Sequence, residues 1–172
     1  EDVYIATVLG SCISVALFDI RLGIGGMNHF MLPKSNRDQP LSSDDEGRFG
    51  NFAMELLIND MINNGSTKQN LRAKVFGGGN VLDMGEGQAN STGINNINFA
   101  LKFLKQEGIP IIVNDTGGLF PRKIFFHPLT SKVYLKRIQK SGQSLDQIRK
   151  REYEYKIQLQ NKKTEAGNIV WF

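Results

Sequence analysis

Cysteine is almost absent from this chain: its 172 residues include one, Cys12. No internal disulfide can form, which suits a reducing compartment. Histidine is scarce as well, with only His29 and His127, and together with Cys12 these three residues are too few and wrongly spaced for a closed zinc site. No run of 18 apolar residues and no signal-peptide pattern is present, so the expectation is a soluble, cytoplasmic protein without membrane insertion. Neither sign of charge dominates: 21 Lys and Arg stand against 17 Asp and Glu, a net +4. The basic excess lies in residues 132–140 and 147–163, while Asp44-Asp45-Glu46 is acidic. Nucleic-acid binding asks for a basic stripe interleaved with aromatics. Tyr134, Tyr153 and Tyr155 do lie among the basic residues, but strand alternation and helical spacing account for them. A solvated face is the better reading, and no nucleic-acid partner is expected.

What is present is ordinary for a folded domain: 40% hydrophobic and 22% charged residues. A chain of this length buries roughly 70% of its unfolded surface as one unit. The expectation is a single domain over residues 1–172. Because the chain starts without methionine and close to a strand, further N-terminal sequence is expected before it.

Cys12 closes the stretch Leu9-Gly10-Ser11-Cys12, and His29 opens His29-Phe30-Met31-Leu32-Pro33 seventeen residues later. A thiol attacks as thiolate, and a free cysteine with a pKa of about 8.5 is only slightly ionised at neutral pH. An imidazole within hydrogen-bond reach corrects this, and a third polar group can orient the imidazole. Cys12 opens the apolar run Ile13-Ser-Val-Ala-Leu-Phe18, which reads as a strand, and residues 22–32 read as a second. With a turn at Asp19 to Gly23 centred on residues 20–21, the antiparallel partner of Cys12 falls near position 29. Gly10 allows a tight bend where backbone N–H groups of Gly10 and Ser11 can cradle an oxyanion. A lone cysteine often only fills space, and a histidine beside Phe30 and Met31 is often a core residue. Spacing by itself leaves both readings open.

Residues 34–50 read as a polar loop, and Asn51 as the cap of a helix with Phe52, Ala53, Leu56, Leu57, Met61 and Ile62 on one face. Leu71–Phe76 reads as a strand feeding Gly77-Gly78-Gly79-Asn80. That segment lacks the Lys-Ser/Thr of a phosphate loop and the spacing of a dinucleotide fingerprint, so close backbone packing or a wall of the cysteine site is expected of it. A second helix starts at Ser91 or Thr92, with Ile94, Ile97, Leu101 and Leu104 inward and Gly108 past its end. A strand over Ile109–Asp115 ends in the turn Asp115-Thr-Gly-Gly118, followed by a hairpin of residues 123–127 and 132–138. A charged helix runs from Ser144 to about Asn161, with Leu145, Ile148, Tyr155 and Leu159 inward, and residues 168–172 read as a last strand. No repeat is visible, and the mixed order argues for α+β architecture over repeated βαβ units.

These motifs together carry a resemblance. Leu9-Gly10-Ser11-Cys12, His29-Phe-Met-Leu-Pro33, Ala73-Lys-Val-Phe-Gly-Gly78, Asp115-Thr-Gly-Gly118 and the tail Gly167–Phe172 occur in the order and spacing of the CheD family, chemoreceptor glutamine deamidases. The resemblance covers nearly the whole chain. It implies an α+β fold, a layered α/β/β/α sandwich of cysteine-hydrolase type. It also implies hydrolysis of glutamine side chains on the cytoplasmic helices of methyl-accepting chemotaxis receptors, giving glutamate and ammonia without a metal or cofactor. On the matching positions Cys12 is the nucleophile and His29 the general base. The family's third catalytic group is a threonine shortly before the cysteine; here Thr7 lies five residues upstream and Ala6 six upstream. Two departures stand out: Trp171 where an acidic residue is expected, and Phe120-Pro121-Arg122 where a glycine often precedes the arginine.

A receptor helix requires an open groove, and the loop 34–50 with Phe49 or Phe30 is its expected rim. Two other readings stay beside the deamidase: a regulatory protein that docks on receptors or on a CheC-type phosphatase with little turnover, and an esterase acting on receptor glutamyl methyl esters.

Overall fold

The computed structural model describes residues 3–32, 43–81, 92–138 and 142–161. The chain after Cys12 dictates the centre of the molecule. β2 (Ile13–Asp19) is buried along its whole length, so both of its faces are covered. Ile13, Val15 and Leu17 face one apolar cluster, while Cys12, Ala16 and Phe18 belong to clusters on the other face. This is the period-two alternation of a strand enclosed on both sides.

β2 sits inside a four-stranded sheet with β3 (Ile24–Met27), β4 (Arg72–Gly77) and β5 (Ile111–Thr116), in the order β3-β2-β4-β5. The second sheet has three strands, β1 (Ile5–Leu9), β6 (Arg122–Phe126) and β7 (Val133–Arg137), ordered β1-β6-β7 and antiparallel throughout. Helices α1 (Ser43–Asn63) and α2 (Thr92–Gln106) cover the Ile13-Val15-Leu17 face with Met54, Leu57, Ile58, Met61, Ala100, Phe103 and Leu104. The other face meets the second sheet through Leu9, Ile124 and Phe126. A third helix, α3 (Gly142–Asn161), brings Leu159 into the cluster that holds Leu9, Cys12, Met31, Phe76 and Ile124. The fold is the expected α+β sandwich.

Three expectations change in detail. First, α1 begins at Ser43, so residues 43–50 are helix and not loop, and Asn51 lies inside it. The polar composition of this stretch suggested a loop, but its end at Gly50 is buried under Phe99 and Leu32; a Cβ there would stand 2.8 Å from Leu32 Cδ2. Residues 33–42, the remainder of the expected rim, lie outside the described residues, as do the tail with Trp171 and the last strand. Second, Phe30 is a core residue, 1% exposed and packed edge-on against Phe99 at 5.9 Å, so it is not available to a receptor. Third, β4, α2 and β5 do form one βαβ unit, since β4 and β5 run parallel. On α2 the expected inward residues Ile97, Leu101 and Leu104 do pack on the core, where Asn96, Ala100 and Phe103 are buried beside them. α2 ends as expected, at Gly108 with φ 68°.

Candidate active site

The turn between β2 and β3 sets the register beside Cys12. Gly23 takes φ 63° and donates to the Asp19 carbonyl at 3.0 Å, while the Asp19 carboxylate accepts the Arg21 N–H at 3.0 Å. Asp19 therefore pairs with Ile24, and farther along Ile13 and Phe30 exchange reciprocal N–H···O bonds of 3.0 Å. The position opposite Cys12 is Met31, two residues beyond the expected position 29. The turn centres one residue later than the sequence suggested. A shift of two preserves the face, so Cys12 and His29 still lie on one side of the sheet.

Asn28 prepares that side. Its side-chain oxygen accepts the Val15 N–H at 2.9 Å, and the Ser14 hydroxyl donates to its carbonyl at 2.6 Å. These bonds replace part of the strand ladder just before His29. The His29 ring then reaches across to the second sheet, where its Nδ1 is 2.8 Å from Thr7 Oγ1. His29 keeps an exposed edge, but the protein crowds the rest of the ring. That crowding lowers its pKa from the ordinary imidazole value, and the Glu152 charge offsets part of the effect.

Cys12 is only 3% exposed. The peptide groups beside it converge on one carboxylate. The N–H groups of Gly10 and Ser11 donate to Glu152 at 2.8 and 2.9 Å, the Ser11 hydroxyl donates at 2.8 Å, and the Cys12 N–H donates at 3.4 Å. Such a set of convergent backbone donors is an anion cradle. Gly10 is required by the close approach, because a Cβ there would stand 2.5 Å from Glu152 Oε1.

The cradle is held from behind. A peptide unit is planar, so fixing one residue's carbonyl fixes the N–H of the next. The Gly79 N–H binds the Gly10 carbonyl at 2.7 Å and thereby aims the Ser11 N–H. The Asn96 amide binds the Ser11 carbonyl at 2.8 Å and thereby aims the Cys12 N–H. Asn96 is wholly buried, and its oxygen also accepts the Leu32 N–H at 2.8 Å. The Gly78 N–H takes the Cys12 carbonyl at 2.6 Å. The glycine run 77–79 is thus a wall of the cysteine site. Its far side rests on the Asp115–Gly118 turn through Gly117 N–H to the Gly77 carbonyl at 2.8 Å. The turn in turn is clamped by Arg122, whose guanidinium is 2.6 Å from Asp115 Oδ1.

Burial pushes the Cys12 thiol pKa well up, and the charge of Glu152 and hydrogen bonding to its carboxylate push it further in the same direction. The thiol is therefore protonated with Glu152 in place. Among the described residues, no three His, Cys, Asp or Glu side chains come together to hold a metal ion, and no helix is long and apolar enough to cross a membrane.

The structure thus gathers Thr7 with His29, and Gly10 and Ser11 with Cys12. Sequence reading missed Glu152 and Asn96. Glu152 lies within the charged stretch 147–163 that reads as a solvated face, yet it falls on the stripe Ile148, Glu152, Tyr155, Leu159 of α3, and that spacing is the available signal. Asn96 had a comparable signal, one polar residue on an otherwise apolar helix face.

A thiol beside an anion cradle, in an α+β sandwich with an imidazole held by a hydroxyl, is a site of the class that can carry acyl transfer. Comparison with known proteins narrows the class. A family model described as CheD chemotactic sensory transduction matches residues 31–137. A protein of Herminiimonas arsenicoxydans named "Probable chemoreceptor glutamine deamidase CheD" is 42% identical over 173 residues, covering 100% of this chain and 82% of its own. Proteins with the same name root from Methylobacillus flagellatus and Shewanella oneidensis are 40% and 44% identical, covering 100% and 94% of this chain and 83% and 76% of theirs. The chain belongs to the CheD family. The matched range of the family model starts after Cys12 and His29, whereas the relatives extend across both.

Proposed function

We propose that this protein is a chemoreceptor glutamine deamidase in which Cys12 is the nucleophile. The observation that carries the reading is the cradle of Gly10, Ser11 and Cys12 N–H groups beside the thiol, already closed around the carboxyl of a glutamate, the product of glutamine hydrolysis. His29 takes the proton of the Cys12 thiol, and the thiolate attacks the carboxamide carbon of a receptor glutamine, forming the C–S bond while the cradle holds the resulting oxyanion. A cradle donor of this kind is worth about 3 kcal/mol to the transition state. His29 passes a proton to the leaving nitrogen, the C–N bond breaks, and ammonia departs from a thioester. Water activated by His29 cleaves the C–S bond, giving glutamate and restoring the thiol. Thr7 orients His29 through Nδ1. The reaction changes a neutral amide into a carboxylate on a cytoplasmic receptor helix.

The test is ammonia release from a receptor cytoplasmic fragment, followed for the parent and the Cys12→Ala variant. Release by the parent alone supports the reading. Equal release by both removes Cys12 from the mechanism. No release by either, combined with tight binding to the fragment or to a CheC-type phosphatase, turns the reading to docking.

A further inference from the structure

The proposed nucleophile is covered while its proposed base is open: Cys12 is 3% exposed, whereas His29 keeps a free edge. The cover is α3. Glu152 is itself 7% exposed and, among the described residues, has no cationic partner; its carboxylate accepts from the three N–H groups, the Ser11 hydroxyl and the Cys12 thiol. Three residues on, Tyr155 lies half-buried against the same apolar cluster as Cys12, and seven residues on, Leu159 is buried within it. Spacings of three and seven place these side chains on one helical face with Glu152. A structural tether between a helix and a loop needs one capping contact. Here the carboxyl takes all three backbone donors beside the thiol, and the apolar face of the same helix packs on the cluster that holds Cys12.

We infer that α3 occupies the substrate groove as a product-like segment, and that the groove reads its substrate as a helix carrying glutamine with apolar side chains three and seven residues farther on. This rests on the deamidase reading and adds to it the form in which the glutamine is presented. α3 and the receptor helix compete for one place, so the resting protein is restrained by its own helix. The charge of Glu152 adds to the restraint by favouring the protonated thiol.

The inference has a direct chemical consequence. In the Glu152→Gln variant the side chain at position 152 becomes a substrate in cis. His29 takes the thiol proton as Cys12 Sγ bonds to Cδ, the C–N bond breaks as His29 passes that proton to the departing ammonia, and water cleaves the thioester to leave glutamate at position 152. Peptide mapping by mass spectrometry reads a gain of about 1 Da per hydrolysed amide, the difference between an amide and an acid. The expected result is conversion at a rate independent of protein concentration, with no conversion when Cys12→Ala is added. Persistence of the amide in a preparation that deamidates a receptor fragment overturns the inference and spares the deamidase reading. Conversion at position 152 without receptor deamidation keeps the groove assignment and overturns the receptor reading. Persistence of the amide together with an inert receptor fragment overturns both.

A second measurement does not depend on the folding of that variant. A peptide of residues 146–161 with Glu152→Gln is supplied to full-length Glu152→Ala protein. The peptide is expected to be deamidated, and its Leu159→Ala form at least tenfold more slowly. Equal rates, or no reaction under conditions where the receptor fragment reacts, overturn the helix-reading groove.

Discussion

Thr7 lies on β1 of one sheet and His29 just past β3 of the other, and the 2.8 Å contact between Thr7 Oγ1 and His29 Nδ1 spans the seam between them. Thr7 is fixed by the pairing of β1 with β6, opposite Ile124. His29 is fixed by the Asn28 contacts that interrupt the ladder beside β2. The imidazole is therefore aimed by two independent pieces of backbone, with Nδ1 engaged and Nε2 left for the reaction.

Thr7→Val keeps the shape of the side chain and removes the hydroxyl. We expect kcat on the receptor fragment to fall at least about tenfold, out of the roughly 10²–10⁴ that a positioned base contributes. Because the contact is exposed, stability should change by less than about 1 kcal/mol. Thr7→Ser should keep most of the activity. Steady-state ammonia release and thermal unfolding check both halves.

His29 should titrate below the ordinary imidazole value, about 6.5, because the surrounding protein disfavours its charged form. The unfolded chain then binds a proton that the folded one refuses. Its contribution to stability is present above about pH 6.5 and is lost as pH falls through the lowered folded value. Glu152 opposes the shift, so Glu152→Ala should lower the His29 pKa further. The same variant should lower the Cys12 pKa, since both the charge and the hydrogen bond of Glu152 raise it. Imidazole proton resonances and the pH dependence of alkylation at Cys12 report the two shifts.

Gly10→Ala places a Cβ 2.5 Å from Glu152 Oε1 and 2.7 Å from its Cδ. Gly10 is not among the glycines with positive φ, so alanine suits its backbone. We expect a folded protein whose cradle no longer admits a carboxamide, with turnover down about 100-fold, the scale of losing one oxyanion donor. Retained turnover would show that the substrate carbonyl does not enter between Gly10 and Cys12.

Asn96→Ala removes the group that aims the Cys12 N–H and leaves the Ser11 carbonyl and Leu32 N–H without their partner. Unsatisfied buried groups cost about 1–3 kcal/mol each. Both a lower unfolding midpoint and a lower kcat should follow. Asn96→Leu, which fills the space without the amide, should recover less activity than stability.

The paired motifs were legible because they depend on local chemistry: a glycine before a thiol, an alternating strand, a two-glycine turn. Ile13 to Phe18 reads as a strand from its residues alone, and its enclosure on both faces follows from the lack of polar alternation. The register was off by two because the Asp19 carboxylate and the left-handed Gly23 together define the turn, and neither is visible as spacing. The first turns of α1 are not legible because residues 43–50 are polar and carry no apolar periodicity, whereas Phe99 and Leu32 close on the small Gly50. The α3 stripe could mark Glu152 as inward-facing but not as a site residue, because it lies 142 positions from Gly10 and a glutamate in a charged helix normally faces water. Only the fold supplies the donors that make its burial tolerable.

The central claim, that Cys12 converts receptor glutamine to glutamate, is tested most directly by mass spectrometry of a folded receptor cytoplasmic fragment after incubation. Parallel samples contain the parent protein, Cys12→Ala and no protein. The account predicts a gain of about 1 Da at discrete glutamines, the amide-to-acid difference, with the parent only. A fragment unchanged by the parent, or changed equally by Cys12→Ala, would contradict it.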